Sequence, residues 1–299
     1  MTDFAKRFSD YISLFNSYAE SEMARFASLS PVSPGSEFMI EAMSYSLVNT
    51  GKRIRPVLCL EFCRACGGDY KKALPFALGA EMIHTYSLIH DDLPCMDDDD
   101  YRRGRESSHK KFGYANALLA GDSLLTLAFE ELANADVDAA ITVEAVKLLS
   151  GAAGFRGMVA GQVMDLENEN KAADIDTVRF TDELKTGEMI RVSALLGCAA
   201  AGEKGKKRDA CVEYCKNIGL AFQIVDDILD VTGDFESTGK AAGSDEKSNK
   251  STYVSLLGVD GAKKYARELT SHALEALDIF GQEGEFLKEL AVNLSDRTK

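Results

Sequence analysis

The sequence predicts an all-α fold, and three observations carry that reading. All five prolines lie at or before residue 94, so more than two hundred residues beyond it contain no obligate helix breaker. Apolar residues recur at helical spacing, as at Met39, Met43 and Leu47. No stretch alternates polar and apolar residues long enough to make a convincing strand ladder.

Taken in order, the pattern predicts helices over 3–28 and from the turn Ser33-Pro34-Gly35-Ser36-Glu37 to about Asn49. Further helices are expected over 55–66, 70–93, 115–134, 139–150, 154–167, 174–186, 188–202, 206–231, 252–257, 260–280 and 284–294. The most apolar long stretch, Ala73 to Leu93, holds Glu81, His84, His90, Asp91 and Asp92, which makes a membrane span costly and a buried helix the better reading. No Pro/Gly/Ser-rich linker divides the chain, and the one long polar segment, Thr232 to Lys250, lies inside a run of motifs, so residues 1–299 read as one domain.

A hydrophobic fraction of 45% with 27% charged residues suits a chain that buries a sizeable core. The net charge of −14 argues against nucleic acid and against an anionic membrane surface as partners. The bases are nevertheless clustered, at Lys52-Arg53-Ile54-Arg55, Arg102-Arg103-Gly104-Arg105 and His109-Lys110-Lys111, which points to local anion sites. Seven cysteines without paired spacing, and a start that lacks the order of a signal peptide, lead to the expectation of a reducing cytoplasm. Cys59, Cys63 and Cys66 share a helix face and read as small buried hydrophobes rather than a zinc site.

Two carboxylate clusters stand out. In Asp226-Asp227-Ile228-Leu229-Asp230 the acids share an edge of an otherwise apolar helix. Charges of one sign at 4 Å repel by about 4 kcal/mol at an effective dielectric near 20, so such clustering calls for a cation, and a hard divalent ion is the natural one. The other cluster, Asp91-Asp92-Leu93-Pro94-Cys95-Met96-Asp97, ends its helix: Pro94 forces a bend, and Asp97 must return from a looped continuation to flank a metal with Asp91. Asp98 to Asp100 read as solvated loop charge. No EF-hand spacing occurs, and a phosphate loop ending at Gly239-Lys240 would need glycine at 234, where Asp stands.

From about Gly51 to Tyr253 the chain resembles the trans-isoprenyl diphosphate synthases. His90 to Gly104 is similar to that family's first aspartate-rich motif with its bacterial two-residue insertion, and Gln223 to Asp230 to its second. Gly51-Lys52-Arg53-Ile54-Arg55-Pro56 and Lys185-Thr186-Gly187 match further family motifs. The resemblance implies an isoprenoid synthase-type helical bundle around a deep central cavity, in a homodimer, with both Asp motifs at the cavity mouth. It implies three Mg²⁺ ions held by Asp91, Asp97 and Asp226, with Asp92 and Asp230 supporting. Lys185, Lys240 and Arg102 then clamp the diphosphate of dimethylallyl or geranyl diphosphate, with Lys250 close by, while Lys52, Arg55, His84 and Arg103 take that of isopentenyl diphosphate. Thr186, the Lys185 carbonyl and Gln223 steady the allylic cation, and Gln162 and Asp165 are expected to support the site from behind.

Tyr86 lies five residues before Asp91, about 7.5 Å down the helix, where a ring obstructs a growing tail. That resembles the short-chain pattern of the family and implies farnesyl diphosphate as product, with geranyl or geranylgeranyl diphosphate as alternatives. Thr50 and Glu106 depart from the family pattern beside the isopentenyl diphosphate residues. A terpene cyclase would need a Ser/Thr and a Glu where Asp230 and Asp234 stand, and a non-catalytic subunit would have no need of both complete Asp clusters.

Overall fold

A computed structural model of the chain describes residues 2–29, 34–48, 51–169, 171–232 and 250–296. The helices follow in chain order as α1 (Asp3–Leu29), α2 (Pro34–Leu47), α3 (Ile54–Ala65), α4 (Leu74–Asp91), α5 (Ser108–Phe112), α6 (Tyr114–Ala133) and α7 (Ala139–Ala153). They continue as α8 (Met158–Asn168), α9 (Ile175–Asp182), α10 (Glu188–Ala200), α11 (Lys206–Thr232), α12 (Tyr253–Ala276) and α13 (Glu285–Ser295). Helices α3, α4 and α10 are buried on almost every side, as their near-continuous apolar sequences require. The amphipathic α1, α6 and α7 wrap them, each burying one stripe, such as Tyr11, Phe15, Ala19, Met23 and Phe26 on α1. Helix α11 passes through the same core and lies along α12. No helix among the described residues is long and apolar enough to cross a membrane.

Most expected helices stand where the sequence places them, and the differences have local causes. The segment 70–93 begins as a 3₁₀ turn, Tyr70–Ala73, because the Asp69 side chain accepts from the Lys71 amide at 3.0 Å. Its helix stops at Asp91, ahead of Pro94. Residues 154–157 form a turn, closed by the Gly157 amide on the Gly154 carbonyl at 2.9 Å, and α8 starts after it. The expected helix 174–186 ends at Asp182 and widens into a π turn over Glu183–Gly187. The two helices expected over 252–280 are one, α12, kinked at Gly258, followed by a 3₁₀ stretch over Leu277–Gly284.

Two elements escape the sequence pattern. One is the short helix α5, and the other is a hairpin pairing β1 (Tyr101–Arg102) with β2 (Arg105–Glu106) in antiparallel register. Its turn places Arg103 at φ 54° and Gly104 at φ 73°, the left-handed pair that tight two-residue hairpin turns demand. Strands of two residues are too short to display alternation, yet this turn sends Arg102 and Arg103 toward the helix ends that matter below.

Candidate active site

The end of α4 and the loop after it form one rim. The Asp97 amide donates to the Asp91 carbonyl at 2.9 Å, so the bend at Pro94 folds the chain back and brings the two acids together, as the sequence requires. Burial raises the Asp91 carboxyl above the usual carboxylate range and Asp97 adds to this, while Lys185 opposes it. Gln162 of α8 donates to Asp91 Oδ1 at 2.5 Å and orients it. Asp92 points the other way: it is buried, and both Nε and Nη2 of Arg102 donate to its Oδ1, the former at 2.8 Å. The Arg102 expected on a diphosphate is therefore paired with Asp92 in this state.

The second rim is α11. Asp226 and Asp230 are half-buried one turn apart, and Asp226 is near enough to Arg55 to favour its charged form. Asp227 between them is buried and does other work. Its Oδ1 accepts from Gln223 Nε2 at 3.1 Å and its Oδ2 from the Tyr253 amide at 3.0 Å, fastening α11 to the start of α12. Asp97, Lys185, Thr186, Gln223, Asp227 and Lys250 line one cavity of about 210 Å³, so the two Asp motifs face each other across it.

Lys185 and Thr186 sit in the π turn, an irregularity that often marks functional positions in helices. Helix α8 presses against this turn at Gly161, where a Cβ would fall 2.2 Å from the Lys185 amide nitrogen. The Thr186 hydroxyl lies 3.5 Å from Gln223 Oε1. Asp165, one turn after Gly161, accepts from Lys185 Nζ at 2.7 Å and from Lys250 Nζ at 3.0 Å. Burial works to raise its carboxyl, but the two ammonium groups outweigh that and hold it below the usual range. Lys185, expected in the diphosphate clamp, and Lys250, expected close by, thus share one holding carboxylate, a role the sequence reading gives Asp165 only as general support. Lys240 lies outside the described residues.

Arg55, His84 and Arg103 converge next to this. Arg55 Nε is buried without a hydrogen-bond partner, and burial pushes its guanidinium down to about 10, still charged at neutral pH. His84 Nε2 lies 3.5 Å from Arg103 Nη2, and burial together with Arg55, Arg103, Arg102 and Arg53 holds the imidazole neutral. Lys52 is exposed just before them. An orphaned guanidinium nitrogen among like charges is what an anion satisfies. Arg53, counted with these bases in the sequence, is committed elsewhere: it is buried and paired with Glu81 at 2.8 Å. The bases at 109–111 form no open anion site either, since Lys110 Nζ pairs with Asp100 at 2.7 Å and Lys111 stacks on Tyr45 at 4.1 Å. Asp98 and Asp100 are exposed as expected, but they meet the buried His109, the three offering ligand atoms within 4.8 Å of one another.

Beneath Asp91 an apolar cavity of about 390 Å³ opens between α4, α8 and α10. Asp91, Gln162, Lys185 and Thr186 lie at its polar side, Arg55 and His84 join its wall, and Tyr86, Met158, Val163 and Met189 are among its apolar lining. Tyr86 is buried, its ring 5.5 Å edge-on from that of His90. Two acidic rims and two cationic clusters over an oily well suit a substrate with a diphosphate head and a hydrocarbon tail.

Residues 36–285 match the family model for polyprenyl synthetases. The chain belongs to that family. It is a short-chain trans-prenyltransferase by its relatives: it is 44% identical over 270 residues to a farnesyl diphosphate synthase of Micrococcus luteus, covering 89% of this chain and 91% of that one. It is also 46% identical over 243 residues to a chloroplastic geranylgeranyl pyrophosphate synthase of Capsicum annuum, covering 80% of this chain and 66% of the plant protein. Among solved structures, the prenyltransferase superposes on a geranyltransferase of Helicobacter pylori complexed with magnesium and isoprenyl diphosphate with a TM-score of 0.85 at 34% identity, covering 98% and 97% of the two chains. The donors on the two Asp rims are all carboxylate oxygens, which fits a hard divalent cation such as Mg²⁺ and not a soft one.

Proposed function

We propose that this prenyltransferase condenses isopentenyl diphosphate with dimethylallyl diphosphate, then with geranyl diphosphate, to give farnesyl diphosphate. The observation that carries the reading is the apolar cavity that runs from Asp91 and Lys185 to the ring of Tyr86. A tail that starts at the rim meets that ring after a short run, so the floor favours a short chain over a long one.

Asp91, Asp97 and Asp226, with Asp92 and Asp230 behind them, would hold Mg²⁺, three ions by the family resemblance. Bound there, the metal supplies positive charge to the leaving diphosphate. The chain's own contribution to the same end is Lys185, Lys250 and Arg102, which exchange Asp165 and Asp92 for phosphate oxygens when the allylic substrate arrives. Lys240 is assigned with them on sequence alone. Negative charge grows on the diphosphate as the carbon–oxygen bond breaks, so fixed cations stabilise the transition state more than the ground state. Arg55, Arg103, His84 and Lys52 receive the second diphosphate and hold the double bond of isopentenyl diphosphate at the ionising carbon. Lone pairs of Thr186, Gln223 and the Lys185 carbonyl steady the cation, and the departing diphosphate takes the proton that restores the double bond.

Labelled isopentenyl diphosphate with dimethylallyl diphosphate and Mg²⁺ is expected to yield C15 alcohols after dephosphorylation, and C20 as the main product would replace the farnesyl reading by a geranylgeranyl one. Tyr86→Ala should move the products to longer chains. An unchanged profile removes Tyr86 from the floor.

The homodimer implied by the resemblance is supported by apolar side chains left at the surface of neighbouring segments, Leu119 on α6, Val143 on α7 and Phe155, which is 79% exposed. Light scattering is expected to return twice the 32.5 kDa chain mass, and a monomer at micromolar concentration would overturn this part. A cytoplasmic location agrees with the seven cysteines being free.

A further inference from the structure

Prenyl transfer uses none of the cysteines, yet six of the seven gather where α3 and α11 meet α10. Cys59 and Cys63 of α3 lie within electrostatic reach of Cys198 on α10, and Cys211 of α11 bridges Cys198 to Cys215 through thiol hydrogen bonds. Cys66, which caps α3, places its Sγ 3.9 Å from that of Cys198, although 132 residues separate the two in sequence. Five members of the group are buried, and Cys66 alone reaches solvent. The helix crossing beneath them is as close as backbones allow: a Cβ on Gly197 would fall 2.1 Å from the Cys59 carbonyl oxygen. The two sulfurs are thus held in place by packing rather than brought together by a mobile loop.

We infer that Cys66 and Cys198 form a modification site, in which a two-electron oxidation joins them as a disulfide that staples the end of α3 to the end of α10. A disulfide is about 2 Å long, so closure asks each sulfur to move by about 1 Å. The oxidant is a small disulfide of the glutathione class. Cys66, the one thiol of the group that reaches solvent, loses its proton and attacks one sulfur of that molecule, releasing one small thiolate and leaving a mixed disulfide on Cys66; its hydrogen bond with Cys198 and its burial raise this thiol, so this first step is the slow one. The Cys198 thiolate then attacks the Cys66 sulfur and expels the second small thiolate. The two protein thiols lose two electrons and two protons, and one small disulfide becomes two small thiols. Cys211, donating to Cys198, lowers its thiol and so raises its thiolate fraction for the second step, when Cys66 is in the mixed disulfide and has no proton to give.

The bridge lies at the opposite end of α3 from Arg55, about 17 Å along the helix, and at the opposite end of α10 from the turn that carries Lys185 and Thr186, about 18–20 Å away. It should therefore leave turnover unchanged and raise the thermal midpoint, by about 8 °C for a loop of this length.

The test treats the full-length protein with glutathione disulfide and maps its peptides without reduction. The expected result is a Cys66–Cys198 linkage and a raised midpoint, both reversed by dithiothreitol, both absent from Cys66→Ser and both retained in Cys95→Ser, which removes the exposed thiol. Glutathione left on Cys66 with no linkage, a bridge between other cysteines, or a raised midpoint that persists in Cys66→Ser would each overturn the inference. Should Cys66→Ser not fold, the linkage mapped in the parent chain decides.

Discussion

Asp91→Ala is expected to lower kcat by on the order of 10³-fold, and Asp226→Ala by a similar factor, with little change in the KM for isopentenyl diphosphate. That factor corresponds to about 4 kcal/mol of lost transition-state stabilisation. Burial, with Asp97 adding to it and Lys185 opposing, holds the Asp91 carboxyl above its usual range. A carboxylate that costs free energy to ionise, and that is kept in place by Gln162 at 2.5 Å, is built to be offset by a cation from outside the chain. Removing it weakens the hold on the leaving diphosphate but leaves Arg55, His84 and Arg103 untouched, which is why the effect falls on kcat. Asp91→Asn separates chemistry from folding, because the amide keeps an acceptor for Gln162 and loses only the charge. Steady-state kinetics in saturating Mg²⁺ are the measurement, and either alanine variant retaining activity within tenfold of the parent would remove that residue from the metal rim.

Residues whose meaning is local were readable in the sequence, and those whose partners lie far along the chain were not. Pro94 announces the bend that returns Asp97 to Asp91, because a proline acts on its immediate neighbours. Asp226 and Asp230 are one turn apart on a continuous helix, and spacing alone placed them on one edge. Asp227 has the same chemistry, and only the amide of Tyr253, 26 residues later, shows that it fastens two helices. Arg53 and Arg55 look alike in a run of bases, but the left-handed φ of 54° at Arg53 turns its side chain inward while Arg55 opens on the cavity. The hairpin that aims Arg102 and Arg103 has strands of two residues, below the length at which any periodicity exists. Asp165 stood out in the sequence only through the motif Gly161-Gln162-Val163-Met164-Asp165, and its two lysine partners, 20 and 85 residues further on, were not legible there.

Arg53→Ala is expected to destabilise the protein by about 3–5 kcal/mol, the usual result of leaving one member of a buried ion pair without its partner. The Arg53 guanidinium gives Nη1 to Glu81 at 2.8 Å, Nε to Asn16 at 3.0 Å and Nη2 to the Leu47 carbonyl at 2.6 Å, so α1, α2 and α4 all meet on it. Phe15 packs against its plane with the ring centroid at 5.1 Å. Arginine and Glu81 are both nearly out of solvent, at 3% and 2% exposure, and truncation leaves the Glu81 charge buried with no guanidinium at that distance. Two further cations, Arg55 and Arg103, are close enough that Glu81 already favours their charged forms. In the variant Glu81 draws on those two, and the site expected to receive isopentenyl diphosphate loses positive charge. The kinetic mark is therefore a raised KM for that substrate in the fraction that folds, opposite to the kcat effect of the Asp variants. Removing Glu81 as well, in Arg53→Ala/Glu81→Ala, should recover part of the stability and restore the KM, because no buried charge is left over. Urea unfolding and substrate titration check the two halves separately, and an Arg53→Ala protein less than 1 kcal/mol below the parent, or a double variant no better than the single, would show that the pair is not what joins these three helices beside the anion site.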